Sequence, residues 1–107
     1  MRITTLCGMG FGTSMMLKLF IEDILKENKM KNVEVVPTDL GSFKGQEAST
    51  DIVVAPFDME RHLKSSTCVV VLIRNLVDKQ EIREKVLDAI EKAEQRKGGD
   101  EIGEEKS

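Results

Sequence analysis

The chain has 107 residues, 33% of them charged and 40% hydrophobic, with a formal net charge of −3. That describes one ordinary globular domain with a modest core, and an acidic balance without a basic stripe argues against a nucleic-acid partner. The longest apolar run, Cys68 to Ile73, is far too short to span a bilayer, and two cysteines far apart do not make a disulfide framework.

The first strand is predicted at Ile3 to Leu6, inside Arg2-Ile3-Thr4-Thr5-Leu6. A strand that starts so early leaves no room for a secretory signal, so a reducing cytoplasm is the expected location. Cys7 stands where this strand ends and a glycine-rich loop begins, in Cys7-Gly8-Met9-Gly10-Phe11-Gly12-Thr13-Ser14. A helical pattern follows at once, with Leu17, Phe20, Ile21, Ile24 and Leu25 on its apolar face. Gly12 or Thr13 is the expected cap, and Lys18, Glu22 and Lys26 are spaced for pairing one turn apart.

Val33 to Val36 reads as a second strand ended by Pro37. Thr38 to Thr50 is the least regular stretch, with a short helix expected near Lys44 to Ala48. Ile52 to Ala55 and Val69 to Ile73 complete the strands. Their apolar runs scarcely alternate, as in parallel strands covered on both faces. The last helix has Asp78 as N-cap, Glu81 placed for a capping box, and Val77 and Ile82 placed for a hydrophobic staple. Its predicted buried stripe is Ile82, Val86, Ala89, Ile90 and Ala93, and Gly98-Gly99 is its expected end. The polar, acidic stretch beyond is expected to be flexible.

Alternating strands and helices of this kind predict an α/β fold with right-handed crossovers. The expected architecture is a three-layer α/β/α sandwich around a four-stranded parallel sheet in the order 2-1-3-4. Sites in such sheets form beyond the carboxyl ends of the strands, where Cys7 lies.

Glycines at 8, 10 and 12 free the backbone to turn its N–H groups inward around an anion. Thr13 and Ser14 add hydroxyls, and the helix start adds roughly half a positive charge. This setting favours a thiolate, or a phosphoryl group on sulfur, and nucleophilic attack on phosphorus follows. The candidate phosphate-binding set is Gly8, Met9, Gly10, Phe11, Gly12, Thr13 and Ser14 around the nucleophile Cys7. The loop has neither Arg nor Lys, so it lacks the lysine of nucleoside-triphosphate loops. Its glycine spacing also lacks the last gap of a dinucleotide fingerprint, and no His, Cys and carboxylate set has metal-ligand spacing. No metal or cofactor is therefore expected.

Other residues read more plainly. Cys68 opens a hydrophobic strand and is expected to pack the core. His62 is expected to be a solvated surface residue. Asp39 and Asp58 follow strands and read as loop carboxylates or turn formers, although their position also suits a leaving-group acid. Arg74 ends the last strand at the Cys7 edge. It reads more readily as a surface ion-pair residue than as an aid to the anionic group. Met9, Phe11, Met15 and Met16 could form an adaptable docking rim, with Met16 expected to pack inward.

Cys-x5-Thr-Ser after a first strand resembles the enzyme IIB subunits of the sugar phosphotransferase system. The likeness is greatest to the ascorbate-type branch of the lactose/ascorbate superfamily. It includes Gly41-Ser42-Phe43-Lys44, Asp51-Ile52-Val53-Val54-Ala55, and Val69 to Leu76 with its Arg74-Asn75 turn. The resemblance implies a phosphocarrier domain over residues 1–97, with 98–107 as a tail. Cys7 would take a phosphoryl group from phosphohistidine on a IIA protein and pass it to ascorbate or a related sugar on a membrane IIC permease. The domain would be cytoplasmic and peripheral to that permease, without inserting into the membrane itself. The loop also resembles the Cys-x5-Arg-Ser loop of low-molecular-weight tyrosine phosphatases, with Thr13 at the arginine position. A cysteine phosphatase or arsenate-reductase-like enzyme is the alternative. A binding module that keeps the loop without turnover is a third reading. Loss of the arginine removes bidentate stabilisation of the transferring group and favours transfer over hydrolysis.

Overall fold

A computed structural model describes residues 1–7, 12–64 and 66–96 in full, and residues 97–106 as backbone. Four strands pair in parallel: β1 (Arg2–Cys7), β2 (Glu34–Asp39), β3 (Ile52–Pro56) and β4 (Val69–Ile73). Their order across the sheet is β2-β1-β3-β4, as the sequence predicts. The helices are α1 (Gly12–Glu27), α2 (Leu40–Gln46) and α3 (Lys79–Lys106), with short 3-10 segments at Glu47–Ser49 and Phe57–His62.

Helices cover both faces. Leu17, Ile21 and Ile24 of α1 and Ile82, Val86 and Ile90 of α3 pack on Ile3, Ile52, Val54 and Ile73. On the other face, Phe43 of α2 with Met59 and Leu63 covers Leu6, Val53 and Ala55. The inner strands β1 and β3 are therefore buried on both sides, which is why their sequences run apolar instead of alternating. Polar side chains caught there bond to one another. Thr4 and Thr50 share a hydroxyl contact of 2.8 Å in the core.

Several local expectations are corrected. β2 runs through Pro37 to Asp39, because an edge strand can leave a missing N–H on its open side. α2 begins at Leu40, earlier than predicted, because the Asp39 carboxylate accepts from the Ser42 amide at 2.7 Å and caps it. Helix α1 already includes Gly12 and Thr13, so neither precedes it as a cap. Lys18 pairs with Glu22 at 3.1 Å, whereas no ion pair joins Glu22 to Lys26 among the described residues.

At α3, Asp78 accepts from the amides of Gln80 and Glu81, as an N-cap should. The predicted buried stripe from Ile82 to Ala93 is buried. The staple does not form. Val77 is 72% exposed, and Leu76 packs on the core instead. The helix also continues past Gly98-Gly99 to Lys106. Each glycine costs about 1 kcal/mol of helix propensity against alanine, yet both keep the N–H that a helix needs. No helix among the described residues is long and apolar enough to cross a membrane.

Candidate active site

Parallel register aligns the carboxyl ends of all four strands. Cys7 pairs with Asp39 on one side. On the other, β1 pairs with β3 as far as Thr5 and Val54, so Cys7 and Pro56 each end their strand two residues beyond the last pair, and Pro56 pairs with Ile73. Asp39, Cys7, Pro56 and Ile73 thus form a row across the sheet. The segments that leave this row build the candidate site.

Cys7 is 3% exposed, and its thiol donates to the Ser14 hydroxyl at 3.5 Å. Ser14 is fully buried in the first turn of α1. Its carbonyl accepts a hydrogen bond of 2.8 Å from the Thr5 hydroxyl, two residues before the cysteine on β1. This bond stitches the start of the helix to the end of the strand. It fixes Ser14 against the sulfur and sets the positive end of α1 beside it. Thr5 escaped the sequence reading. Its signal is a hydroxyl in a strand covered on both faces, where every polar group needs a partner.

Of the predicted phosphate-binding set, Gly8, Met9, Gly10 and Phe11 lie outside the described residues. Gly12 is exposed, and a Cβ added there would meet nothing within 4 Å. Thr13 is half-buried beside it. Met15 is 42% exposed and Met16 half-buried.

The two candidate acids separate. Asp39 is level with Cys7, but the Ser42 amide and hydroxyl hold its carboxyl below the usual carboxylate range. Asp58 is exposed in the first turn of the Phe57–His62 segment. His62 is exposed, as expected. Cys68 is half-buried at the amino end of β4, across the sheet from Cys7, and the two cysteines form no disulfide. Burial, with Glu47 nearby, pushes the Cys68 thiol above its ordinary range.

Arg74 departs from expectation. Its guanidinium lies over the Phe57 ring, 5.3 Å from the centroid, and among the described residues it makes no ion pair. Phe57 itself is 47% exposed. The acid nearby, Glu81, is engaged elsewhere. Its carboxylate accepts from the amides of Arg74 and Asn75 at 2.8 and 2.9 Å and from Lys85 at 2.7 Å. Lys85 also donates to the Leu72 carbonyl at 2.8 Å. The Lys85 ammonium and the two amides hold the Glu81 carboxyl down to about 2. The predicted capping box is thus half made. Asp78 caps α3, while Glu81 turns back to fix the β4–α3 turn.

The family model described as "PTS system, Lactose/Cellobiose specific IIB subunit" matches residues 2–102. The chain belongs to this IIB family. It is 32% identical over 85 residues to the "Ascorbate-specific PTS system EIIB component" of Mycoplasma pneumoniae, covering 78% of this chain and 88% of that protein. The IIB fold is also similar to the crystal structure of Primo-1, with a TM-score of 0.54 at 11% identity over 82% of this chain and 92% of that one. That likeness concerns fold alone. Family membership carries a phosphotransferase role in the sugar phosphotransferase system in general.

Proposed function

We propose that this IIB protein is a phosphocarrier whose working group is the Cys7 thiol. The observation that carries this reading is the buried sulfur at the end of β1, 3.5 Å from the Ser14 hydroxyl in the first turn of α1. As a thiol, Cys7 donates to Ser14. Once ionised, it accepts from that same hydroxyl, so one contact serves both states.

The donor is phosphohistidine on a IIA protein. Sulfur attacks phosphorus, a sulfur–phosphorus bond forms, and the nitrogen–phosphorus bond breaks. The departing imidazole keeps the bonding pair, and the thiol's proton ends on it, leaving a neutral ring. Backbone amides from Gly8 to Ser14, with the hydroxyls of Thr13 and Ser14, then hold the phosphoryl oxygens. The open space beside Gly12 supports room for that group. In the second step a hydroxyl of a sugar held by the membrane IIC component attacks the phosphorus on Cys7. An oxygen–phosphorus bond forms, the sulfur–phosphorus bond breaks, and sulfur keeps the bonding pair and takes up the hydroxyl's proton, restoring the thiol. Ascorbate or a related sugar is the acceptor, by the likeness to the Mycoplasma component. The protein acts in the cytoplasm, peripherally on the permease. Residues 1–97 are the working domain, and residues 98–107 are a tail outside it.

The chemistry of the row favours transfer over hydrolysis. A phosphatase needs an acid for its leaving group, and the hydrogen bonds from Ser42 lower the Asp39 carboxyl's pKa, which disfavours its protonated form. The loop also has Thr13 where a bidentate arginine would stabilise hydrolysis.

The test is incubation with phosphoenolpyruvate, the general phosphotransferase proteins and a cognate IIA, followed by intact-mass analysis. One phosphate on the wild-type chain, absent from Cys7→Ser, is the expected result. No adduct with a donor of demonstrated activity, or Cys7-dependent turnover of an aryl phosphate instead, overturns the reading.

A further inference from the structure

The nucleophile loop has no basic residue, yet the group it would receive carries about two negative charges. The loop's amides can hold that group once it has arrived, and a cation at the rim would offset its charge during the approach. Of the two residues that follow each strand end, only Arg74 is basic.

Its placement is built. Arg74 lies one residue beyond Ile73, and Phe57 one residue beyond Pro56, on the same row as Cys7. Strands are about 4.8 Å apart, so β4 lies about 10 Å from β1. The guanidinium does not stay over its own strand. It lies over the ring that follows β3, the strand beside β1, at the same carboxyl edge of the sheet as Cys7. Glu81 grips the Arg74 and Asn75 amides and is itself neutralised by Lys85. This bracket fixes the backbone and keeps the nearby carboxylate off the guanidinium. A guanidinium that meets a ring through its face can keep its in-plane donors for a forked contact with an anion.

We propose that Arg74, held on the Phe57 ring, is the anion-binding residue of the transfer, engaging the donor's phosphoryl oxygens as the group approaches Cys7. The proposal rests on the phosphocarrier reading and adds a residue to it. It supplies, from a different strand, the cation that the loop lacks.

The experiment is single-turnover transfer from purified phosphorylated cognate IIA to the full chain, across a range of salt, for wild type, Arg74→Gln, Arg74→Lys and Phe57→Leu. Arg74→Gln should slow transfer about 10- to 100-fold, with a flatter salt dependence and an unchanged urea midpoint. Arg74→Lys should recover part of the rate, because it keeps the charge and loses the fork. Phe57→Leu should fall between wild type and Arg74→Gln. Wild-type rate and salt dependence in Arg74→Gln would overturn this inference and leave Cys7 as carrier. A slow Arg74→Gln whose urea midpoint falls to match would also overturn it, making Arg74 a structural residue. Failure of the wild-type chain to accept phosphate from an active donor would instead remove the underlying reading.

Discussion

The two ends of the sheet use their charges differently. At the amino end, polar groups tie one segment to another. Arg2 reaches Glu34 and Ser49 with its side chain and the Asp51 carboxylate with its amide. The terminal amine meets the Asn32 carbonyl, Glu47 accepts from the Thr67 amide, and Arg96 donates to the Thr67 carbonyl. At the carboxyl end, Asp39 and Glu81 fold back on amides of their own turns. That leaves Met15, Phe57 and Val77 exposed around the row, with Arg74 stacked on an aromatic ring. One end satisfies itself by cross-linking. The other shapes its turns locally and leaves an apolar and cationic surface for something else to meet.

If this division is real, stability and transfer should separate by end. The largest effect is expected from Asp51→Ala, which leaves the Arg2 amide without its 2.8 Å acceptor. A loss of about 1–3 kcal/mol in urea unfolding is expected, with the folded protein transferring phosphate normally. A large drop in transfer by stable Asp51→Ala protein would break the comparison.

Glu81→Gln should cost less, about 1 kcal/mol at neutral pH. Its effect has a pH signature. The carboxyl sits near 2 in the fold, against an ordinary 4.5. A depressed folded value gives stability that is complete above the ordinary value and is lost as pH falls toward 2. The gap between wild type and Glu81→Gln should therefore narrow from about pH 4.5 downward, and a gap constant with pH would show that the charge is not what matters. Gly12→Ala should be the mildest in stability, within about 0.5 kcal/mol, since the added methyl meets nothing within 4 Å. Slower transfer by this stable variant would sharpen the comparison by marking that space as the phosphoryl group's.

Much of this was legible from the chain. The parallel sheet followed from β/α alternation and from runs too apolar for a half-exposed sheet, and the place of Cys7 at the end of β1 followed from the strand–loop–helix junction. The misses share a cause: local signals were outvoted by neighbours distant in sequence. Pro37 reads as a terminator, but its tolerance depends on β2 being an edge strand. Val77 has staple spacing, yet Leu76 wins the core position. Gly41 and Gly45 mask α2 by lowering helix propensity, while the Asp39 cap starts it early. Phe57 and Arg74 are brought together by parallel pairing of β3 with β4, so no local pattern announces their stack.

The Lys85 contact with the Leu72 carbonyl has a consequence beyond the turn it braces. Every open sheet ends in two strands that could recruit a strand from another molecule, and apolar runs such as Val69 to Ile73 are the most prone to do so. Here an ammonium occupies a carbonyl of β4, and an incoming chain would have to dislodge it. The opposite outer strand, β2, carries Pro37, which lacks a ladder donor. Each margin thus carries one group that disfavours edge-to-edge pairing.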